Sequence, residues 1–320
     1  MHIAENSVKE HLEDDGYLSV TWYGGEPLLA LDTIYRLSEA FLKIVENKNA
    51  RYDSMIITNG YLLSRKVTEN LKKYKVNRAQ ITIDGVPEYH DSVRRLKNGN
   101  GTFDRILSNI RNAKEIYEEF MISIRMNVGK ENVNSFPEFI DKLEEYKIKN
   151  KISLGISEIE PHEYLPTQVN DVTFTPEEFS KAYVKLVDMA VERGVPMVVI
   201  SSNSLAHCSS TKKDSYIIDP DGKLYKCWDV IGNPSECIGE IGKNVKMMDG
   251  SLKWLAWDIF KNNKCRECNV LPICMGGCPR KSLVKDEIVN SMDRCNQIRY
   301  SIPELIKIMY KQQNLMKKSI

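Results

Sequence analysis

Between residues 17 and 200, short apolar runs alternate with longer stretches whose apolar positions recur every three or four residues. The runs at 18–23, 55–58, 79–84, 122–128 and 152–159 predict strands, and 196–200 is a further candidate. Residues 32–46 place Ile34, Leu37, Phe41 and Ile44 on one helical face. A second helix is predicted over 102–119, with Thr102 as its N-cap. A third, over 176–193, opens with Thr175, Pro176 and Glu178, a capping box with proline in the first turn. Strands that alternate with helices build βα units on a parallel sheet. Five or six such units predict an α/β barrel or part of one rather than a sandwich.

Near residue 200 the pattern changes. Glycine, aspartate, proline and cysteine dominate as far as about residue 300, and helical periodicity returns only at 303–316. The division expected is a barrel-like domain over 1–204, a small cysteine-rich domain over 205–300 and a C-terminal helix over 301–320. No 20–50-residue repeat and no low-complexity tract is visible.

Composition excludes several classes. Of the 320 residues, 42% are hydrophobic and 28% charged, an ordinary soluble balance. A net charge of +1 gives no field to attract nucleic acid or a membrane surface. No apolar run reaches the roughly 18–20 residues that span a bilayer. The opening residues are polar and acidic, unlike a signal peptide. These points favour the cytoplasm.

The cysteines change the picture most. All eight lie between Cys208 and Cys295. The order is Cys208, thirteen residues, Gly222, four residues, Cys227, and then Cys237. A C-x2-C-x5-C-x3-C run follows at Cys265, Cys268, Cys274 and Cys278, and Cys295 comes sixteen residues later. Disulfides do not persist in a reducing cytosol, so a cysteine-dense segment there points to metal. Eight thiolates suit two four-ligand zinc sites or two four-iron clusters. The close spacing, with His207 the sole histidine nearby, leans towards iron–sulfur. Isolated core cysteines do not cluster at turn spacing.

One stretch of the first half also invites a ligand. TWYGGEPLLA, residues 21–30, ends a strand in Gly24-Gly25-Glu26-Pro27. This is ordinary turn chemistry, and also a place where backbone can approach a ligand at the carboxyl end of a strand.

Taken together, these features resemble the radical S-adenosylmethionine (SAM) enzymes that carry a SPASM auxiliary-cluster domain. GGEP at 24–27 resembles the family's site for the methionine ammonium. ITNGYLL at 57–63 and QITIDG at 80–85 resemble the next two strand ends, and YHDSVRR at 89–95 the loop after them. The cysteine order matches the SPASM pattern throughout. The resemblance implies a partial (β/α)6 TIM-like barrel lacking its first strand, followed by the iron–sulfur domain. It implies SAM and two auxiliary four-iron clusters as cofactors. The first cluster would take Cys208, Cys227 and Cys278, with Cys237 either a fourth ligand or a packed thiol. The second would take Cys265, Cys268, Cys274 and Cys295.

The barrel would hold SAM at the carboxyl ends of its strands, with Glu26 offering a carboxylate to the ammonium. Thr58 and Asn59 are read either as cofactor contacts or as an Asn-Gly turn, and Asp84 either as a contact or as a loop cap. Arg125 and Asn127 share one side of their strand, where an arginine suits the SAM carboxylate. Glu158 and Glu160 share a side of the last strand and rank lower. His90, Arg94 and Arg95 are expected to hold a loop.

One departure stands out. The family binds its catalytic cluster through C-x3-C-x2-C ahead of GGEP, and here no cysteine precedes Cys208. The expectation is a truncated product or late start within a longer enzyme, unable by itself to make the 5′-deoxyadenosyl radical. Substrate is read from KCWD. Relatives that oxidise a sulfatase cysteine or serine use an aspartate directly after the equivalent of Cys227. Here Trp228 takes that place and Asp229 follows, leaving Asp229 a weak catalytic candidate. The KCW form is more like maturases of ribosomally made peptides, which form thioether or related cross-links. The partners implied are a peptide or protein substrate and an electron donor such as flavodoxin or ferredoxin, with no nucleic acid and no membrane. The alternatives are a non-catalytic iron–sulfur partner subunit, sulfatase-type oxidation of a protein cysteine or serine, and a zinc-stapled binding module.

Overall fold

The computed structural model describes residues 2–160, 173–200, 208–242, 249–284, 295 and 297–318. Five strands form one parallel sheet in chain order: β1 (Tyr17–Trp22), β2 (Arg51–Thr58), β3 (Arg78–Thr82), β4 (Met121–Val128) and β5 (Ser153–Glu158). Each pairs with its neighbour in parallel, from Tyr17 opposite Arg51 to Val128 opposite Glu158. The helices are α1 (His2–His11), α2 (Leu31–Asn47), α3 (Arg65–Lys73), α4 (Pro87–Val93), α5 (Phe103–Ile116), α6 (Phe136–Glu145) and α7 (Pro176–Glu192). The α/β, partial TIM-like barrel expected from the sequence is the fold observed.

The alternation along the strands sets the layers. Ile56, Ala79, Ile81, Ile122, Ile124, Met126, Leu154 and Ile156 are all buried in one core with Phe103, Ile106, Ile110, Phe139 and Val187 of the helices. The intervening residues face the other way and are mostly polar: Asp53, Arg78, Gln80, Thr82, Ser123, Arg125, Asn127, Ser153 and Ser157. A parallel sheet covered on both faces reads as a continuous apolar run. This one alternates, so its second face is mostly polar.

Four of the first seven helices, α1, α3, α4 and α6, lie outside the periodic stretches read from the sequence. α3, α4 and α6 are short, and two of them open on proline in their first turn. The capping box of α7 forms as expected: Thr175 Oγ1 accepts from the Glu178 N–H at 3.2 Å, and Glu178 Oε2 from the Thr175 N–H at 2.9 Å. Thr102 does not cap α5 with its side chain. Asp91 Oδ1 accepts from the Thr102 and Phe103 N–H groups instead, at 2.7 and 3.0 Å. Residues 196–200 form no strand, and the contact with β5 is the Leu154 N–H to Pro196 carbonyl bond at 2.8 Å. Proline has no N–H to continue a ladder.

The cysteine-rich part contains a small antiparallel sheet, β6 (Ile217–Ile218), β7 (Lys223–Tyr225) and β8 (Gly239–Glu240). Gly222 turns its first hairpin at φ +84°. Between Cys274 and Cys278, Met275, Gly276 and Gly277 are all left-handed, and a Cβ on Gly276 would stand 2.5 Å from Ile259 Cγ2. Those glycines let the chain reverse between two thiols. Helix α8 (Asp249–Leu255) brings Trp254 into a core with Tyr225, Val230 and Val284. The last helix, α9 (Ile302–Lys318), returns to the first domain: Leu305 and Ile308 join its core, and Lys311 pairs with Asp188 and Glu192 of α7. The expected domain boundary at 204/205 lies outside the described residues.

His90 locks the loop after β3. It is fully buried, accepts the Asp84 N–H at Nδ1 (3.2 Å) and meets Thr102 Oγ1 at Nε2 (3.1 Å). Burial pulls its pKa down to about 4; Asp84 and Asp91 oppose the fall and Arg94 adds to it. The unfolded chain protonates histidine near 6.5, so between about 6.5 and 4 it binds the extra proton and stability falls as pH falls. Urea melts should show the wild type losing up to about 3 kcal/mol across that window, and His90→Gln losing less of it.

Candidate functional site

The carboxyl ends of β1 to β4 are joined by two polar knots. The first is centred on Glu26. Its Oε1 accepts from the Leu28 N–H at 3.0 Å and from Thr58 Oγ1 at 2.6 Å, and its Oε2 from the Asn59 N–H at 2.9 Å. Glu26 thus caps the 3-10 turn Pro27–Ala30 and ties the end of β1 to the end of β2. A carboxylate has about four acceptor positions, and three are used within the chain. Thr58 and Asn59 take up the turn geometry that was one of their two sequence readings. Thr58 Oγ1 accepts the Gly60 N–H at 3.1 Å, and Asn59 Oδ1 the Tyr61 N–H at 2.9 Å. Gly60 is needed there: its φ is +77°, and a Cβ would meet Ile81 Cγ2 at 2.9 Å.

Beside this knot the backbone of Gly24 and Gly25 faces open space, with no atom within 4 Å of a Cβ built on either residue. Gly24 has φ +152°, a conformation that L side chains rarely adopt. The two glycines, the unused acceptor position of Glu26 and Pro27 therefore form one edge of the opening.

The second knot is centred on Asp84, which is 5% exposed. Its Oδ1 accepts from both the backbone N–H and the side-chain amide of Asn127, each at 3.0 Å, and its Oδ2 accepts from Arg94 Nε. With its Nδ2 turned to Asp84, Asn127 presents Oδ1 to Arg125 Nε at 3.0 Å. Arg125 itself is exposed on the polar face of the sheet. Arg94 and His90 hold the loop, as the sequence suggested. Asn132 was missed. It is buried, donates to the Asp84 and Asn127 carbonyls at 2.9 Å each, and accepts the Gly129 N–H at 2.8 Å. It sits in a polar loop with no local pattern to mark it.

Glu158 and Glu160 have the parity of Leu154 and Ile156, the helix-covered side of β5. Glu160 pairs with Lys281 at 2.9 Å, next to Cys278, which places the cysteine-rich part against the end of β5. Tyr23, just before Gly24, meets Trp228 edge-on at 6.0 Å. Both rings are about half exposed, and they form a second bridge beside Cys227.

All eight thiols are free of disulfides. Seven of them fall into two neighbourhoods. Cys227 lies within electrostatic reach of Cys278 and Cys208; Cys265 lies within reach of Cys274, Cys295 and Cys268. The Cys227 thiol is pushed up to about 12, chiefly by burial, with the Asp229 carboxylate and the neighbouring thiols adding to the rise. Asp229 is exposed, with Oδ2 3.9 Å from Cys227 Sγ. Cys237 donates to the Gly239 carbonyl at 3.3 Å and packs against the Tyr225–Trp254 core. Among the described residues no three Cys, His, Asp or Glu side chains are placed to share one metal ion. A four-iron cube is a larger body than one ion and takes thiolates at its corners. Soft donors in these two groups fit clusters of that kind. Residues 1–207 contain no cysteine.

Comparison with known proteins agrees with this geometry. Residues 4–143 match the model of the radical SAM superfamily. The cysteine-type anaerobic sulfatase-maturating enzyme of Clostridium perfringens is 24% identical over 96% of this chain and 87% of its own length. The radical SAM cyclopropyl synthase TigE of Paramaledivibacter caminithermalis is 21% identical over 82% of this chain and 54% of its own. Among solved structures, native anSMEcpe with bound AdoMet and Cp18Cys peptide superposes with a TM-score of 0.74 at 18% identity, covering 98% of this chain and 91% of that one. The chain thus matches the radical SAM superfamily over residues 4–143 and, along nearly its whole length, is similar to enzymes that mature sulfatases and peptides.

Proposed function

We propose that this chain is the SAM- and cluster-binding body of a peptide maturase. One observation carries the reading: the exposed Arg125, oriented through Asn127 and Asp84, stands at the same sheet end as the open Gly24–Gly25 backbone. The methionine end of SAM carries a carboxylate and an ammonium. Arg125 takes the carboxylate through charge-assisted hydrogen bonds. The Gly24 and Gly25 carbonyls and the last acceptor position of Glu26 take the ammonium, with Pro27 fixing the turn. Thr58, Asn59, Asp84 and Asn127 hold these groups in place.

Cys208, Cys227 and Cys278 hold one auxiliary four-iron cluster, with Cys237 as its candidate fourth ligand. Cys265, Cys268, Cys274 and Cys295 hold the other. When bound, such clusters supply one-electron chemistry. The chain's own part is to fix the thiolates and to flank the approach with Tyr23 and Trp228. The substrate is a ribosomally made peptide, and the product a thioether or related cross-link. A second reading, oxidation of a protein cysteine or serine, is favoured by the sulfatase-maturating relative and by Asp229, which stands beside Cys227 as a potential base. Reduction of SAM needs a further cluster, for which residues 1–207 provide no thiolate.

Three outcomes are expected from anaerobically reconstituted protein. Iron and sulfide should each approach about eight per chain, and alanine at Cys227 or Cys265 should remove about half; zinc in their place overturns the cluster assignment. Calorimetry should show SAM binding, weakened about tenfold or more by Arg125→Met, as expected when a charged hydrogen bond worth about 1.5–3 kcal/mol is lost; a wild-type chain that does not bind SAM overturns the site. With SAM and dithionite the chain alone should release no 5′-deoxyadenosine, and its release would show that thiolates within residues 1–207 are not required.

A further inference from the structure

We propose that Arg299 sets the reduction potential of the second cysteine group by donating a hydrogen bond to a ligand sulfur. This rests on the reading of Cys265, Cys268, Cys274 and Cys295 as cluster ligands. Arg299 Nη1 donates to Cys295 Sγ at 2.9 Å. The same guanidinium acts electrostatically on Cys265 and Cys268, so it addresses three of the four thiols from one side.

The backbone that carries Arg299 is anchored. It lies in the 3-10 turn Gln297–Tyr300, between Cys295 and the last helix. Its neighbour Ile298 packs against the core of the first domain. Ser301 is buried, donates from Oγ to the Gln297 carbonyl at 3.1 Å, and accepts the Leu305 N–H at 2.9 Å. The guanidinium thus reaches the sulfur from a turn whose position is set by core packing.

A cluster gains one negative charge when it accepts an electron. An N–H bond to a ligand sulfur and a nearby positive charge both stabilise that charge, which raises the potential. Arg266 provides an internal contrast. It lies between Cys265 and Cys268 and carries the same charge, but its Nη2 donates to Asn263 Oδ1 at 2.7 Å.

The test is a dithionite redox titration of the reconstituted full chain, followed by electron paramagnetic resonance. Arg299→Met should lower the midpoint of one cluster by at least a tenfold shift in its reduction equilibrium, about 59 mV for a one-electron couple. The other midpoint should stay in place. Arg299→Lys should recover part of the loss, and Arg266→Met should move the midpoint less. The proposal is overturned if Arg299→Met leaves both midpoints unchanged, if both move together, or if Arg266→Met has an equal effect. A wild type that binds only about four irons overturns the ligand assignment beneath the proposal.

Discussion

The structure depends on the register of five parallel strands whose side chains alternate between an apolar layer and a polar one. A slip of one residue would turn Ile56, Ile81, Ile124 and Leu154 out of the helix-packed core and carry Arg125 and Asp53 into it. Burial of roughly 25 cal/mol per Å2 of apolar surface makes such a slip prohibitive. The same register that builds the core therefore places Arg125 and Asn127 on the open face. The site is a consequence of how the core is packed.

At the carboxyl ends of the strands that layering stops, and buried polar groups must be satisfied one by one. Glu26 and Asp84 do this with carboxylates. Each is a hub: Glu26 joins the nearby Leu28 to Thr58 and Asn59, and Asp84 joins Arg94 to Asn127. A carboxylate that accepts several hydrogen bonds is rigid as well as satisfied, and it passes that rigidity to what it holds. In the second knot the recipient is Arg125, which is exposed on the polar face of the sheet.

The cysteine-rich part follows a different economy. Its core is small, and its turns rely on left-handed residues at Gly222, Gly276 and Gly277. A short segment with little apolar surface to bury gains order from a cross-link or a metal where one is held. Contacts with the barrel come from Lys281 on Glu160, from Trp228 on Tyr23 and from the last helix on α7. The first two tie the cysteine-rich part to the same end of the sheet as the open glycines.

Much of this was legible in the sequence. Periods of two and of three to four residues predicted all five strands and the helices at 32–46, 102–119, 176–193 and 303–316, because burial imposes those periods locally. The C-x2-C-x5-C-x3-C run pointed to a metal-binding segment, and the structure leaves its thiols free of disulfides. GGEP and the paired Arg125 and Asn127, singled out from the sequence, lie towards the same end of the sheet. Partner choice was not legible. The sequence did not say that Glu26 would spend three acceptor positions on its own chain, that Asp91 rather than Thr102 would cap α5, or that Asn132 and Arg299 would matter. Each of those bonds joins residues that lack a shared periodic pattern, and several span dozens of positions. Only the packed sheet brings such groups within hydrogen-bond distance, so tertiary structure decided which polar groups are occupied and which remain open to a ligand.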